Sequence, residues 1–143
     1  MNEYLDVHKI VKLVDTKIKL DAKSAAMKLE LLDSINQSEY YSAAFNFKKN
    51  EKGELCFSIP IYDINLTFIE KLVVINGTPL IQFTATSADE ENHDEIFYIN
   101  KNGSVSLGEY NPKSGHEYND RNLFLEITDY LIASLNKKEK ISY

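Results

Sequence analysis

Apolar residues recur every three or four positions over the first third of the chain, the spacing that keeps side chains on one helical face. The stripe consists of Val7, Val11, Val14, Ile18, Ala22, Ala25, Leu29 and Leu32. No Gly or Pro interrupts Glu3–Ile35, so the pattern predicts a helix about 50 Å long at about 1.5 Å per residue. We expect the stripe to lie on the protein's own sheet. A leucine-zipper-like dimer is the alternative, and a break at Asp15-Thr16 or Asp21 stays open because short polar side chains compete for backbone hydrogen bonds.

The middle of the chain is organised around a predicted hairpin, Leu72–Thr86. Asn76-Gly77 at its centre indicates a tight turn, because both residues tolerate the positive φ that such a turn needs. Leu72–Ile75 is apolar at every position, which predicts a strand covered on both faces. Leu80–Thr86 alternates apolar and polar residues from Ile81 onward, which predicts one buried face and one wet face.

Polar or glycine-containing turns separate the remaining runs of β-forming residues. The predicted strands are Tyr40–Lys48, Glu54–Ile61, Asn65–Ile75, Leu80–Thr86, Glu95–Ile99 and Ser104–Tyr110. Asn111–Asn119 has the composition of a loop, and a second amphipathic helix follows over Arg121–Lys137. The sequence therefore predicts one α+β domain over residues 1–143. Its antiparallel meander of about six strands is flanked by the long N-terminal helix and the C-terminal helix.

Composition narrows the setting in which we expect this domain to work. Cys56 is the sole cysteine, so an internal disulfide is excluded. We find neither a secretory signal pattern at the start nor an apolar run long enough to span a bilayer. Together with Lys/Asn/Ile-rich and Arg-poor usage, these features predict a bacterial cytoplasmic protein that does not act at a membrane.

The negative charge of the chain is concentrated in one segment. Asp89–Asp120 holds eight Asp or Glu against two Lys, and this imbalance equals the net charge of −6 of the whole chain. A field of that sign repels phosphate backbones, which argues against a nucleic-acid partner. It favours a basic protein partner, and tyrosines within the segment suit a protein interface.

We therefore predict a partner-binding acidic face. Its residues are Asp89, Glu90, Glu91, Asp94, Glu95, Tyr98, Glu109, Tyr110, Glu117, Tyr118 and Asp120. The segment lacks the glycine and fixed offsets of a calcium loop and the paired spacing of a zinc site, so we expect no metal and no cofactor. No catalytic motif is present either, and we expect a protein that is not an enzyme.

The functional hypothesis is an immunity-protein-like or antitoxin-like inhibitor that neutralises a basic, nuclease-type toxin. Long-range attraction would speed its association in a salt-dependent way. One alternative is a small secretion-chaperone-like dimer that holds an unfolded client, which keeps a homodimer open. Another is a cone-shaped small-ligand-binding or enzyme domain, which requires inward polar side chains such as Asp63, Tyr62 or Gln82.

Overall fold

A computed structural model describes residues 4–36, 39–87, 95–113 and 115–142, with the backbone alone at residues 35 and 36. The helices are α1 (Leu5–Asn36), α2 (Glu39–Ala44) and α3 (Leu123–Lys137). The strands are β1 (Asn46–Lys49), β2 (Leu55–Ile59), β3 (Ile64–Ile75), β4 (Thr78–Thr86), β5 (Ile96–Ile99), β6 (Ser104–Leu107) and β7 (His116–Glu117). A short 3₁₀ turn, Pro60–Tyr62, joins β2 to β3.

The strands form one antiparallel sheet in sequence order, and the sheet curls into a half-barrel. Each strand pairs with its neighbour in the chain, so the predicted α+β meander is confirmed. The longest pairing is the β3–β4 hairpin, in which Ile75 stands opposite Thr78. Asn76 and Gly77 form its turn with φ of 50° and 78°, which only residues tolerant of the left-handed region adopt easily.

One hydrophobic core fills the concave side of the sheet. Phe83 and Phe97 stack in parallel with ring centroids 4.7 Å apart, and Phe68 meets Phe97 edge-on at 5.4 Å. Helix α3 covers part of this core with its buried residues, which include Ile127 and Leu131. The other cover is α1, which contributes the fully buried Leu20, Met27 and Leu31. The predicted alternation along β4 is also present, because residues 81, 83 and 85 are buried, but residues 82, 84 and 86 of the predicted wet face are half-buried and not exposed.

The long helix is continuous, but the prediction of its buried face is wrong. At about 100° per residue, Leu20, Ser24 and Met27 lie nearly opposite the apolar stripe that the sequence favoured. Apart from Leu32, which is half-buried against the core, the stripe points to solvent: Val11 is 61% exposed and Ile18 is 65% exposed. Neither Asp15-Thr16 nor Asp21 breaks the helix, which runs unbroken over Leu5–Asn36.

A serine explains why the true buried face was overlooked. Ser24 lies in the middle of that face and is almost fully buried. Its hydroxyl donates a 2.7 Å hydrogen bond to Glu70 Oε1 of β3, and Lys28 Nζ donates to Glu70 Oε2 at 2.8 Å. The polar residue that interrupts the apolar pattern is thus satisfied from the sheet, which removes the cost of burying it.

Four other predictions are corrected in detail. The first five residues of the predicted strand Tyr40–Lys48 belong instead to the helix Glu39–Ala44, from which Tyr41 packs edge-on against Phe124 of α3 with centroids 5.9 Å apart. The predicted strand Ser104–Tyr110 ends early: β6 stops at Leu107, because the next residue, Gly108, turns the chain with φ 82°. The predicted loop at 111–119 contains the two-residue strand β7. A strand of two residues is too short to show the alternation of apolar and polar residues from which strands are predicted. The run Leu72–Ile75 is not covered on both faces, because Val74 is exposed and the other three residues are only half-buried.

Candidate functional site

The centre of the predicted acidic face, Asp89, Glu90, Glu91 and Asp94, lies outside the described residues. The described residues next to it are Ser87 and Glu95. The chain enters this stretch from the end of β4 and leaves it before β5, and Ala85 N donates a 2.9 Å hydrogen bond to Glu95 O across the gap. The remaining predicted site residues can be placed individually.

Glu95 has a different position from the one that the sequence predicted. Its side chain is 1% exposed, and Oε1 lies 2.7 Å from Lys138 Nζ and accepts a 2.9 Å hydrogen bond from Ser134 Oγ. Ser134 lies in the last turn of α3, and Lys138 directly follows that helix. The backbone N–H of the next residue, Ile96, donates to Tyr130 Oη at 3.1 Å. The Glu95 carboxylate therefore fastens α3 to the start of β5 and is not offered to a partner.

Tyr98 and Tyr110 come together on the outer face of the sheet. Their rings meet edge-on with centroids 6.4 Å apart, and Gln82 Nε2 donates a 3.2 Å hydrogen bond to Tyr98 Oη. Tyr98 is buried, Tyr110 is half-buried and the neighbouring Glu109 is exposed. Ser106 Oγ holds the covering segment in place, because it donates to Asn111 O at 3.0 Å and accepts from the Asn111 N–H at 3.1 Å.

An open depression of about 570 Å³ lies beside this cluster. Its charged or titratable lining residues are Glu109, Lys113 and His116, and Tyr110 forms part of its wall. A carboxylate, an ammonium and an imidazole at the rim of a shallow surface suit hydrogen bonding to a polar partner. Three of the predicted site residues, Tyr98, Glu109 and Tyr110, are thus brought to one place.

Glu117, Tyr118 and Asp120 lie at the other end of the sheet. The length of β6 separates them from Glu109, about 13 Å for a four-residue strand. Glu117 Oε1 accepts from Ser104 Oγ at 3.4 Å, and Asp120 Oδ1 accepts from the Asn122 N–H at 3.1 Å just before α3 begins. Both carboxylates are exposed, so they form a second, separate negative patch.

Tyr118 is held within the molecule. Lys23 Nζ of α1 lies 4.4 Å from the centroid of its ring and donates a 3.4 Å hydrogen bond to its hydroxyl. On its other side the ring packs against Gly103, where a Cβ would lie only 2.2 Å from a ring carbon. These contacts join α1 to the β5–β6 turn. Tyr118 therefore serves packing in the described structure.

The structure leaves two apolar surfaces open. One is the stripe of α1, which the sequence analysis identified but expected on the sheet. The other, which the sequence analysis missed, is a groove of about 280 Å³ lined by Phe45, Ile61, Tyr62, Ile132 and Ile141 among others. Tyr62 donates its hydroxyl hydrogen to Ser142 O, which closes one side of the groove. The signal was Pro60-Ile61-Tyr62, an apolar turn in which Ile61 is left exposed.

The interior polar residues that a cone-shaped ligand site requires lie elsewhere. Gln82 is on the outer face, Tyr62 is at the groove, and Asp63 is exposed with φ 55°. The concave side of the sheet is filled by phenylalanine and aliphatic side chains. Within the described ranges, no three His, Cys, Asp or Glu side chains gather as metal ligands.

No protein-family model, curated protein or solved structure matches the chain. None of the helices in the described part combines the length and apolar character needed to cross a bilayer.

Proposed function

We propose that the protein is a non-catalytic binding protein, of the immunity-protein or antitoxin kind, that neutralises a basic nuclease-type partner. The observation that carries the proposal is the charge of Asp89–Asp120, which accounts for the whole net charge of −6. Glu109, Glu117 and Asp120 support it, since all three are exposed in the described part of this segment.

The contact residues we propose are fewer than the acidic segment contains. Glu95 is buried against α3, and Tyr98 and Tyr118 are engaged in internal packing. The proposed contact set is Asp89, Glu90, Glu91, Asp94, Glu109 and Tyr110, with Glu117 and Asp120 as a second patch. An aromatic ring beside carboxylates would supply rigid contact area, and the carboxylates would steer a basic partner toward it.

The experiment is co-expression of this chain with the reading frame adjacent to its gene. We expect that reading frame to be toxic alone and tolerated with this chain. The triple variant D89K/E91K/D94K should lose protection. Its matched control is E30K/D33K/E51K. The three carboxylates that it replaces are exposed and lie outside the acidic segment, and it changes the net charge of the protein by the same amount.

Purified proteins give the sharper readout. The association rate of the native chain with the toxin should fall steeply between about 50 mM and about 0.5 M salt, where screening shortens from about 14 Å to a few ångström. The association rate of D89K/E91K/D94K should be at least about tenfold lower than that of the native chain and should depend less on salt. Equal effects of the two triple variants would show that overall charge, and not this face, governs binding.

A second candidate, the secretion-chaperone-like holder of an unfolded client, is favoured by the apolar groove. Ile61 projects into solvent at its edge beside Tyr62 and Phe45. Such a groove would bind extended apolar segments. Suppression of the aggregation of a permanently unfolded reporter protein tests it, with Ile61→Asp as the variant that should lose activity and Ile69→Asp, an exposed residue of β3, as the control. No suppression by the native chain would exclude this candidate.

A further inference from the structure

The first half of α1 stands away from the body of the protein. Between Leu5 and Lys19 no side chain is buried, and only Leu13 and Thr16 are half-buried. Burial begins at Leu20, where the helix reaches the sheet. We call Leu5–Lys19 the arm; at about 1.5 Å per residue it is about 22 Å long. Its exposed large apolar residues are Leu5, Val7, Ile10, Val11, Val14 and Ile18.

Four of these residues form a single seam. Val7, Val11, Val14 and Ile18 follow one another at steps of four, three and four, so they fall within about 60° of one another around the helix. The side chains that pack on the sheet point almost the opposite way. A helix that covered the seam would therefore meet neither the sheet nor α3 of the same molecule.

The seam has the pattern that pairs helices with one another. Steps of three and four are the a and d positions of a heptad, and β-branched residues at these positions pack well in coiled coils. Tyr4 and Asp21 occupy the next a and d positions at the two ends of the seam. The three lysines Lys9, Lys12 and Lys19 lie away from it, which leaves its centre free of charge.

We propose that the occupant of the seam is the arm of a second copy of this chain, running antiparallel. In that alignment Val11 faces the partner's Val14, and Val7 faces the partner's Ile18. All four apolar residues of each arm are then covered by apolar residues of the other. The proposal does not depend on the proposed function, because the arm contains none of the residues that we propose to contact the basic partner.

The charged residues around the seam select the antiparallel direction. In a parallel pair Asp21, which forms an exposed ion pair with Lys17 of its own helix, would still face the partner's Asp21 at a core position, which places two carboxylates together. In the antiparallel pair Asp21 faces the partner's Tyr4, whose hydroxyl donates to a carboxylate. The same alignment places His8 beside the partner's Asp15 and Ile10 beside the aliphatic stem of the partner's Lys17.

The small size of the seam determines how tightly we expect the two copies to associate. A two-heptad arm offers fewer contacts than the roughly 20–30 residues a side of a standard stable interface. We therefore expect a dissociation constant in the micromolar range. The arm contributes no buried side chain to the core of its own molecule, so substitutions along the seam should change association without unfolding the body.

The test is sedimentation equilibrium of the full chain and of two variants, V11E and V14K. Each variant alone places a charge against valine and should self-associate at least about 30-fold more weakly than the native chain. A one-to-one mixture places a carboxylate against an ammonium in the antiparallel alignment and should recover association. Leu5→Glu is the matched control, because Leu5 is exposed on the far side of the arm and should leave the dissociation constant within about threefold.

Cross-linking checks the direction independently of charge. In a C56S background, oxidation of a mixture of V11C and V14C chains should give more cross-linked dimer than oxidation of either alone. Parallel arms would instead cross-link V11C with itself.

Several outcomes would overturn the proposal. A native chain that stays monomeric at about 200 μM, far above a micromolar dissociation constant, contradicts it. A dimer that is unchanged by both V11E and V14K uses another surface. A mixture that fails to recover refutes the antiparallel alignment. A chain that is monomeric in buffer but sediments with phosphatidylglycerol vesicles would show that a lipid surface covers the seam.

Discussion

The contact between Glu95 and Lys138 gives the sharpest stability prediction. The substitution Lys138→Met removes the ammonium that lies 2.7 Å from the Glu95 carboxylate, while Ser134 remains as its hydrogen-bond donor. Loss of one partner of a buried ion pair costs about 3–5 kcal/mol. Glu95 is 1% exposed, and the Lys138 ammonium nitrogen is buried even though 20% of the Lys138 side chain is exposed, so only Ser134 is left to compensate the carboxylate. Because the Ser134 hydrogen bond remains, we expect the lower end, a decrease of about 3 kcal/mol in the free energy of unfolding.

Urea unfolding followed by far-UV circular dichroism measures the decrease, and the melting temperature should fall by roughly 6–12 °C for a chain of this size. The double variant Glu95→Leu/Lys138→Met should be less destabilised than Lys138→Met, because no charge is then left buried. Lys17→Met is the control: its ion pair with Asp21 has a similar 2.7 Å distance but lies about half exposed on each side. It should change stability by less than about 1 kcal/mol.

Two results would refute the reasoning. One is a Lys138→Met variant within about 0.5 kcal/mol of the native chain, which would mean that the carboxylate is solvated or neutral. The other concerns additivity and needs the single variant Glu95→Leu as well. If the destabilisation of the double variant equals the sum of those of Lys138→Met and Glu95→Leu, the two side chains do not interact.

Three further predictions concern packing. Gly103→Ala should destabilise the protein by more than Gly77→Ala, because both have positive φ but only at residue 103 would the new Cβ collide with a ring; comparison of their unfolding midpoints tests this. Thr128→Val should raise the melting temperature, since within the described ranges the buried Thr128 hydroxyl has no hydrogen-bond partner. Leu20→Ala should cost about 2–5 kcal/mol and Ile18→Ala less than about 1 kcal/mol, and equal costs in urea unfolding would contradict the assignment of the buried face of α1.

The hairpins could be predicted from the sequence because turn chemistry is local. Asn76-Gly77 and Gly53 adopt the positive φ values that their residue types favour, and runs of β-forming residues on either side of these turns form the strands. The meander then follows from short connections. These features need no knowledge of distant residues.

The buried face of α1 could not be predicted, because it depends on a distant partner. Periodicity selects the most apolar stripe, and Ser24 interrupts the true one; only Glu70, far along the chain, makes its burial acceptable. Glu95 poses the same difficulty. It adjoins an acidic run, and nothing near it in sequence shows that Lys138 will withdraw it from the surface.

The two edge strands of the sheet, β1 and β7, restrict how other chains can attach to it. Strand β1 has four residues, of which Lys48 and Lys49 are exposed, and β7 has only two residues. Short edge strands that carry lysines are a poor template for an added strand. They leave few unpaired backbone N–H and C=O groups, and an added strand would have to approach the lysine ammonium groups closely. The half-barrel is therefore open in shape but protected against strand addition and fibre-like stacking. Its associations are left to side-chain surfaces.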